Sequence, residues 1–252
     1  MSFSIKGKIA LVTGANRGIG EAIVDALVAA GAAKTYAAAR NTADLAGLVK
    51  RHGHRVVPLQ LDVTNGAQVA AAVLAAPDVE LLINNAGTAG KPGKAYTDAQ
   101  WIAAGRQEMD VNFFGTFAVS QAFAPVLARN GGGAIANLAS VASLVNFPML
   151  LAYSASKAAT HSLTQATRTM LAAQGTRVFG VYPGPIDTRM AEGIDMPKAT
   201  PADCARAIVE GIEAGTEDIF PDGMSQGMGK AYHASPKALE RQVFAMVTGA
   251  AA

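Results

Sequence analysis

Tyr153-Ser154-Ala155-Ser156-Lys157 is the segment best equipped for chemistry. It opens a predicted helix over residues 153–173, so Tyr153 and Lys157 stand one turn apart on the same face. A phenol titrating near ~10 is a poor acid–base group at neutral pH. A neighbouring ammonium favours the phenolate and brings the group toward the working range. In a chain with five tyrosines and ten lysines the pair alone is a common coincidence, and a surface pair is the plainer reading. Its company decides otherwise. Ser140 follows the apolar run 134–138, which puts its hydroxyl at the carboxyl end of a strand. Asn112 is expected to begin a helix over 112–129, and Asn84-Asn85-Ala86-Gly87 ends a further apolar run. Ligands of open α/β sheets bind at that edge. Polar residues from distant segments therefore converge there, as an active site requires.

A glycine-rich turn supplies the second signal. An apolar run passes straight into Thr13-Gly14-Ala15-Asn16-Arg17-Gly18-Ile19-Gly20 and then a helix. Glycines there let the backbone turn tightly and approach a pyrophosphate, whose charge sits at the helix N-terminus. The spacing is G-x-x-x-G-x-G rather than the usual dinucleotide fingerprint, and a turn needing positive φ would also demand glycine. The strand before it and the helix after it favour the nucleotide reading. The second strand ends at Ala39-Arg40, with alanine where a carboxylate would bind the 2′-hydroxyl of NAD. A small neutral residue leaves room for a 2′-phosphate, and Arg40 and Arg17 bring cations to it. Either arginine alone reads as a solvated charge. Together, with the acid missing, they favour NADP(H) over NAD(H).

The elements that must position these groups follow from periodicity. Residues 9–12, 35–38, 56–59, 81–83, 134–138 and 178–181, with a weaker run at 218–220, are apolar on both faces. That is the pattern of parallel strands covered by helices on either side. Amphipathic stretches over 20–30, 66–76, 112–129 and 153–173 alternate with them, and Thr200-Pro201 opens a late helix. The prediction is one doubly wound α/β domain of Rossmann type with a seven-stranded parallel sheet. Residues 1–110 form its mainly dinucleotide-binding half and 111–221 its catalytic half. Residues 222–252, with a helix near 236–247, are an extension expected at the pocket or a subunit interface.

Composition narrows the function classes. Of 252 residues 53 are alanine and 26 glycine, charged residues are 16%, and 21 Lys+Arg face 19 Asp+Glu. Disorder needs lower hydrophobicity and higher net charge. No long basic run points to nucleic acid. No stretch approaches the roughly 18 uninterrupted apolar residues of a membrane span, and the N-terminus does not read as a signal peptide. The single cysteine, Cys204, suits a reducing cytoplasm, so a cytoplasmic protein is expected. His52, His54, His161 and His233 have no metal-ligand arrangement, and no metal is expected.

Taken jointly, the motifs resemble the short-chain dehydrogenase/reductase family from about residue 7 to 220. The resemblance rests on the glycine motif, Asp62-Val63, Asn84–Gly87, Asn112, Ser140, the Tyr153/Lys157 pair and Pro183-Gly184-Pro185-Ile186-Asp187-Thr188. It implies NADPH-dependent reduction of a ketone or aldehyde, reversible as secondary alcohol oxidation. Ser140 would polarise the carbonyl and Tyr153 would be general acid/base. Lys157 would bind the nicotinamide ribose and lower the tyrosine pKa, and Asn112 would hold a relay water. Cofactor contacts would come from Gly14, Asn16, Arg17, Gly18, Ile19, Gly20, Arg40, Asp62 and Val63. Asn85, Ala86, Gly87, Tyr153, Lys157, Pro183, Gly184, Ile186 and Thr188 would complete them.

The extension after 221 departs from many members and weighs against a ketoacyl-carrier-protein reductase, although Arg129 and Arg168 could form a carrier-protein patch. A non-catalytic dinucleotide sensor is the other rival; such proteins commonly lose the tyrosine or lysine, and both stand here. Residues 189–198 are the expected substrate lid. Met190, Met196, Met224 and Met228 could line an adaptable pocket or simply pack. Ser143, Ser154 and Ser156 do not match the family spacing. A homo-oligomer is expected, a tetramer before a dimer, with Ala155, Ala158 and Ala159 permitting close helix approach.

Overall fold

The computed structural model describes residues 3–90, 95–193 and 195–249. Seven strands form one parallel sheet in the order β3-β2-β1-β4-β5-β6-β7. They are β1 Ile9–Thr13, β2 Lys34–Ala39, β3 Val56–Gln60, β4 Leu81–Asn84, β5 Ala134–Leu138, β6 Arg177–Val181 and β7 Asp218–Ile219. β4 and β5 are buried along their whole length, which explains why their sequences show no alternation. The chain order reverses direction beside β1, and the carboxyl ends of β1 and β4 pair in register at Val12 and Ile83. That topological switch is where a doubly wound sheet opens a crevice.

The helices are α1 Gly18–Ala29, α2 Ala46–His52, α3 Gly66–Ala75, α4 Gln100–Glu108, α5 Thr116–Arg129, α6 Leu151–Met170, α7 Pro201–Ala214, α8 Gly223–Ala234 and α9 Pro236–Thr248. Each face of the sheet has its own core. Ile23, Val24 and Leu27 of α1 meet Ile208 and Ile212 of α7 on one side. Val69 and Ala72 of α3 meet Val119, Phe123 and Val126 of α5 on the other. A buried amide chain ties the second layer to the sheet centre. Asn84 Nδ2 donates to Ser120 Oγ and to Asn137 Oδ1, both at 2.9 Å, and Asn137 Nδ2 donates to Thr164 Oγ1 at 3.0 Å.

Four elements differ from expectation, α4 over Gln100–Glu108 among them. Asn112 does not begin a helix: α4 runs through a π-helical turn, Met109–Gly115, into α5. α2 and α8 were not foreseen, and α8 is unusual for a helix in carrying Gly227 and Gly229. A Cβ on Gly229 would lie 2.7 Å from the Phe220 ring, so the glycine lets α8 seat against it. The joined run Gln100–Arg129 is long and apolar enough to cross a membrane by length and composition. Val119, Phe123, Val126 and Leu127 of this run are fully buried against the sheet, as in a core helix.

Candidate active site

The glycine turn is shaped first by its neighbour strand. Asn85 Nδ2 donates to Thr13 O at 2.9 Å and Gly14 O at 3.0 Å, while Thr13 Oγ1 accepts from the N–H groups of Asn85 and Ala86. A Cβ on Gly14 would lie 2.9 Å from Ala86 Cα, and one on Gly20 would lie 2.3 Å from Gly14 O. Both glycines are therefore obligatory for bringing β1 and β4 together, before any ligand is considered. Gly14 and Gly18 also adopt φ of +63° and +57°. Asn85's side chain is committed to the turn, which leaves its backbone to face a cofactor.

The same turn suits a pyrophosphate. Arg17 is the N-cap of α1 and makes no side-chain capping bond, so the amides of Gly18, Ile19 and Gly20 face outward from a twelve-residue helix. A Cβ on Gly18 would approach Thr188 Cγ2 at 3.1 Å, which sets Thr188 across from the turn. Arg17 and Arg40 are both exposed, and neither forms an ion pair among the described residues. Asp62 accepts from Thr64 Oγ1 at 2.7 Å and Thr64 N at 3.0 Å. These bonds, with a smaller contribution from Arg40, hold its carboxyl below the usual range. The sequence reading passed over Asp44. Asn16 and Asn41 both donate to it at 3.5 Å, placing a carboxylate near the two arginines.

The acid–base groups sit at the carboxyl ends of β4 and β5. Ser140 caps a short turn over Val141–Ser143: its Oγ accepts from Ala142 N at 3.1 Å, and Ser143 Oγ accepts from Ser140 N at 3.1 Å. This capping box makes Ser143 the residue that orients Ser140, and the S-x-x-S spacing was its available signal. Ser140 also hydrogen-bonds Tyr153. Lys157 is 5% exposed, donates to Leu138 O at 2.7 Å and holds Nζ 5.7 Å from the Tyr153 ring centre.

The tyrosine departs from expectation. Burial pushes Tyr153 up to about 12 despite the Ser140 hydrogen bond, and burial brings Lys157 down to about 8. In this structure desolvation outweighs the attraction expected of the pair.

Asn112 is fully buried and its side chain is committed. Oδ1 accepts from Thr88 N at 2.8 Å, and Nδ2 donates to Thr88 O and Ser156 Oγ, both at 2.9 Å. Ser156 Oγ donates onward to Tyr153 O at 2.7 Å. Asn112 thus fixes the turn of α6 that carries Tyr153, and Ser156, set aside on spacing, is the link.

The Pro-Gly segment closes the site. Pro183 O accepts from Val141 N at 3.1 Å, and Gly184 N donates to Asp222 Oδ2 at 2.8 Å. Asp222 also caps α8 through Ser225 N at 2.9 Å. Ile186 forms a parallel bridge with Ala199, which anchors the far end of the segment containing residues 189–198. Asp222 went unnoticed although D-x-x-S is a capping signal. Beyond it, a cavity of about 420 Å³ is lined by Phe147, Met196, Met224, Met228, Leu239 and Met246, among others. Three of the four singled-out methionines line it; Met190 does not.

The arrangement is a dinucleotide crevice beside a Ser–Tyr–Lys cluster, the architecture of a hydride-transferring oxidoreductase. Residues 8–198 match the family model described as short chain dehydrogenase. An oxidoreductase of Staphylococcus epidermidis is 34% identical over 196 residues, covering 76% of this chain and 83% of its own. A short chain dehydrogenase from Burkholderia cenocepacia, solved in complex with NADP, is 39% identical with TM-score 0.88, covering 96% of this chain and 99% of that one. A 3-ketoacyl-(acyl-carrier-protein) reductase from Brucella melitensis, solved with NADH, is 27% identical with TM-score 0.77, covering 88% and 100%. The chain belongs to the short-chain dehydrogenase family and is an oxidoreductase of that family.

Proposed function

We propose that the protein reduces a ketone or aldehyde to an alcohol with NADPH, and catalyses the reverse oxidation of a secondary alcohol. The observation that carries this reading is the meeting of Ser140, Tyr153 and Lys157 at the sheet edge that also holds the glycine turn. Arg17 and Arg40, neither in an ion pair among the described residues, with Ala39 in the place of an acid, support NADP(H), as does the NADP complex of the Burkholderia relative. The bound cofactor supplies the hydride. Ser140 polarises the carbonyl by donating to its oxygen. Tyr153 delivers its phenol proton to that oxygen as the carbon is reduced, giving the alcohol and a phenolate. Lys157 balances the phenolate charge and passes a proton back. NADPH oxidation with a panel of small and bulky ketones tests the reading, and Tyr153→Phe should lower turnover by about 10²–10⁴.

The carrier-protein alternative loses one support. Arg168 Nε donates to Val178 O at 2.9 Å and Nη2 to Glu217 O and Asp218 Oδ1 at 3.0 Å, so its guanidinium is engaged within the fold. Turnover restricted to acyl-thioester substrates would revive it, and tight NADPH binding with no reducible carbonyl would favour the sensor. We place the enzyme in the cytoplasm as a homo-oligomer, a tetramer before a dimer. An apolar outer face supports assembly: Ile102 and Phe114 are exposed there. Trp101, Met109 and Leu151 line a hollow on it together with Ala155.

A further inference from the structure

His161 stands one helical turn after Lys157 on α6, and Tyr182 immediately precedes Pro183. Tyr182 is 1% exposed, and its hydroxyl lies 2.6 Å from His161 Nδ1. With the imidazole proton on Nδ1, the bonds run in one direction. Gln165 Nε2 donates to His161 Nε2 at 3.2 Å, His161 Nδ1 donates to Tyr182 Oη, and Tyr182 Oη donates to Asp218 Oδ1 at 3.4 Å. Arg168, further along the same helix, holds Asp218 Oδ1 at 3.0 Å. The fold makes room for this hydroxyl, since a Cβ on Gly180 would collide with Tyr182 Oη.

Packing alone does not call for a phenol here. The Tyr182 ring stacks on Phe220 at 5.3 Å between ring centres, a contact that phenylalanine would make equally well. A buried hydroxyl is a cost unless it is hydrogen-bonded. What the hydroxyl adds is a tie between α6 and the end of β6. The next residue there, Pro183, accepts through its carbonyl from Val141 N at 3.1 Å and from Ser140 Oγ at 3.4 Å. On the other side, Lys157 ties α6 to the end of β5 through Leu138 O at 2.7 Å. Ser140 therefore sits between two side-chain ties from the helix that carries Tyr153.

We infer that His161 and Tyr182 are positioning residues: their bond sets α6 against the end of β6 and so fixes Ser140 opposite Tyr153. The inference rests on the roles proposed for Ser140 and Tyr153, which must reach one substrate oxygen together. Tyr182 acts on Ser140 through the Pro183 carbonyl, and His161 acts on Tyr153 through two turns of α6. Misplacement of reacting groups by about 1 Å costs up to about 10²-fold in rate.

Tyr182→Phe removes the tie and leaves the ring on Phe220. For ketone reduction, kcat and kcat/KM should fall together by about 10-fold. His161→Leu should do the same, and the double variant should fall no further, because both changes remove one bond. His161→Asn, whose amide keeps a donor near the place of Nδ1, should restore most of the rate. In protein without cofactor, the Val141 N–H should gain more in hydrogen-exchange rate in Tyr182→Phe than the amides of β1 and β4, which report global opening. A bond that only adds stability would speed Val141 no more than them. Parent-like kcat in Tyr182→Phe overturns the inference, as do equal gains in exchange or losses that multiply in the double variant. If Tyr182→Phe does not fold, His161→Leu carries the same rate and exchange readouts. Turnover retained in Tyr153→Phe would sink the acid–base reading itself. An inactive Tyr153→Phe beside parent-like Tyr182→Phe and His161→Leu would sink only the tie.

Discussion

At the scale of single residues the site holds two groups against their chemical preference. Lys157 is charged in water but buried here, so the native chain releases its proton near 8 while an unfolded lysine keeps it to 10.5. Between those values the unfolded chain binds the additional proton, so the stability contributed by this residue rises with pH in that window and is flat on either side. Lys157→Met removes a penalty of roughly 3 kcal/mol at neutral pH, the equivalent of the shift. It also leaves Leu138 O without its donor, at about 1–3 kcal/mol. The net expectation is a melting temperature at or somewhat above the parent's, with turnover lost. A variant that melts many degrees lower would show that the ammonium stabilises the fold. For the cofactor, Arg40→Asp exchanges a phosphate donor for a carboxylate that can accept from ribose. The NADPH-over-NADH preference should fall by about 10- to 100-fold, the worth of one or two charge-assisted hydrogen bonds; steady-state kinetics with both cofactors would show it. The proposed catalytic residues Asn112, Ser140, Tyr153 and Lys157 were legible because their side-chain chemistry is unusual at fixed spacing. The positions of Ser143, Ser156 and Asp222 were not, since serine and aspartate beside turns are ordinary until a structure shows what they hold.

Among elements, the strands were legible nearly to the residue, because strands buried on both faces are continuous apolar runs. The misplaced start at Asn112 has a physical cause. A π-turn shifts the hydrogen-bond register without any breaker residue, so periodicity changes phase at 109–115 and reads as a new helix. α8 was hidden for the opposite reason: its glycines lower helix propensity, and tertiary packing on Phe220 offsets them. Asp222 joins that helix to the Pro-Gly segment. Asp222→Ala should cost about 1 kcal/mol in the lost cap and more from the unpaired Gly184 N–H. Calorimetry should record a melting temperature lowered by several degrees, and KM for the carbonyl should rise more than kcat falls. Asp222→Asn, which can still cap, should restore most of the stability. An alanine variant with parent KM would disconnect α8 from the site.

For the whole molecule, two cores on opposite faces of one sheet were foreseen, whereas the proposed assembly of copies depends on surface shape that composition does not encode. Phe114 is 55% exposed and packs edge-on to Phe113, at 4.8 Å between ring centres. An apolar face this open favours burial in an oligomer. Phe114→Glu should shift sedimentation toward a smaller species, and an unchanged coefficient would place the interface elsewhere.

The cavity lined by α8 and α9 has a different kind of consequence. Its wall is drawn largely from α8 and α9, after the last strand, whereas every group proposed to handle protons precedes residue 158. On the proposed function, substrate range and chemistry are thus encoded in separable stretches of the gene. On that reading, laboratory evolution confined to Met224, Met228, Leu239 and Met246 should change which carbonyl compounds are accepted while leaving hydride transfer intact. The seam for such grafting is Asp222, which any exchanged tail must carry to keep its hold on Gly184.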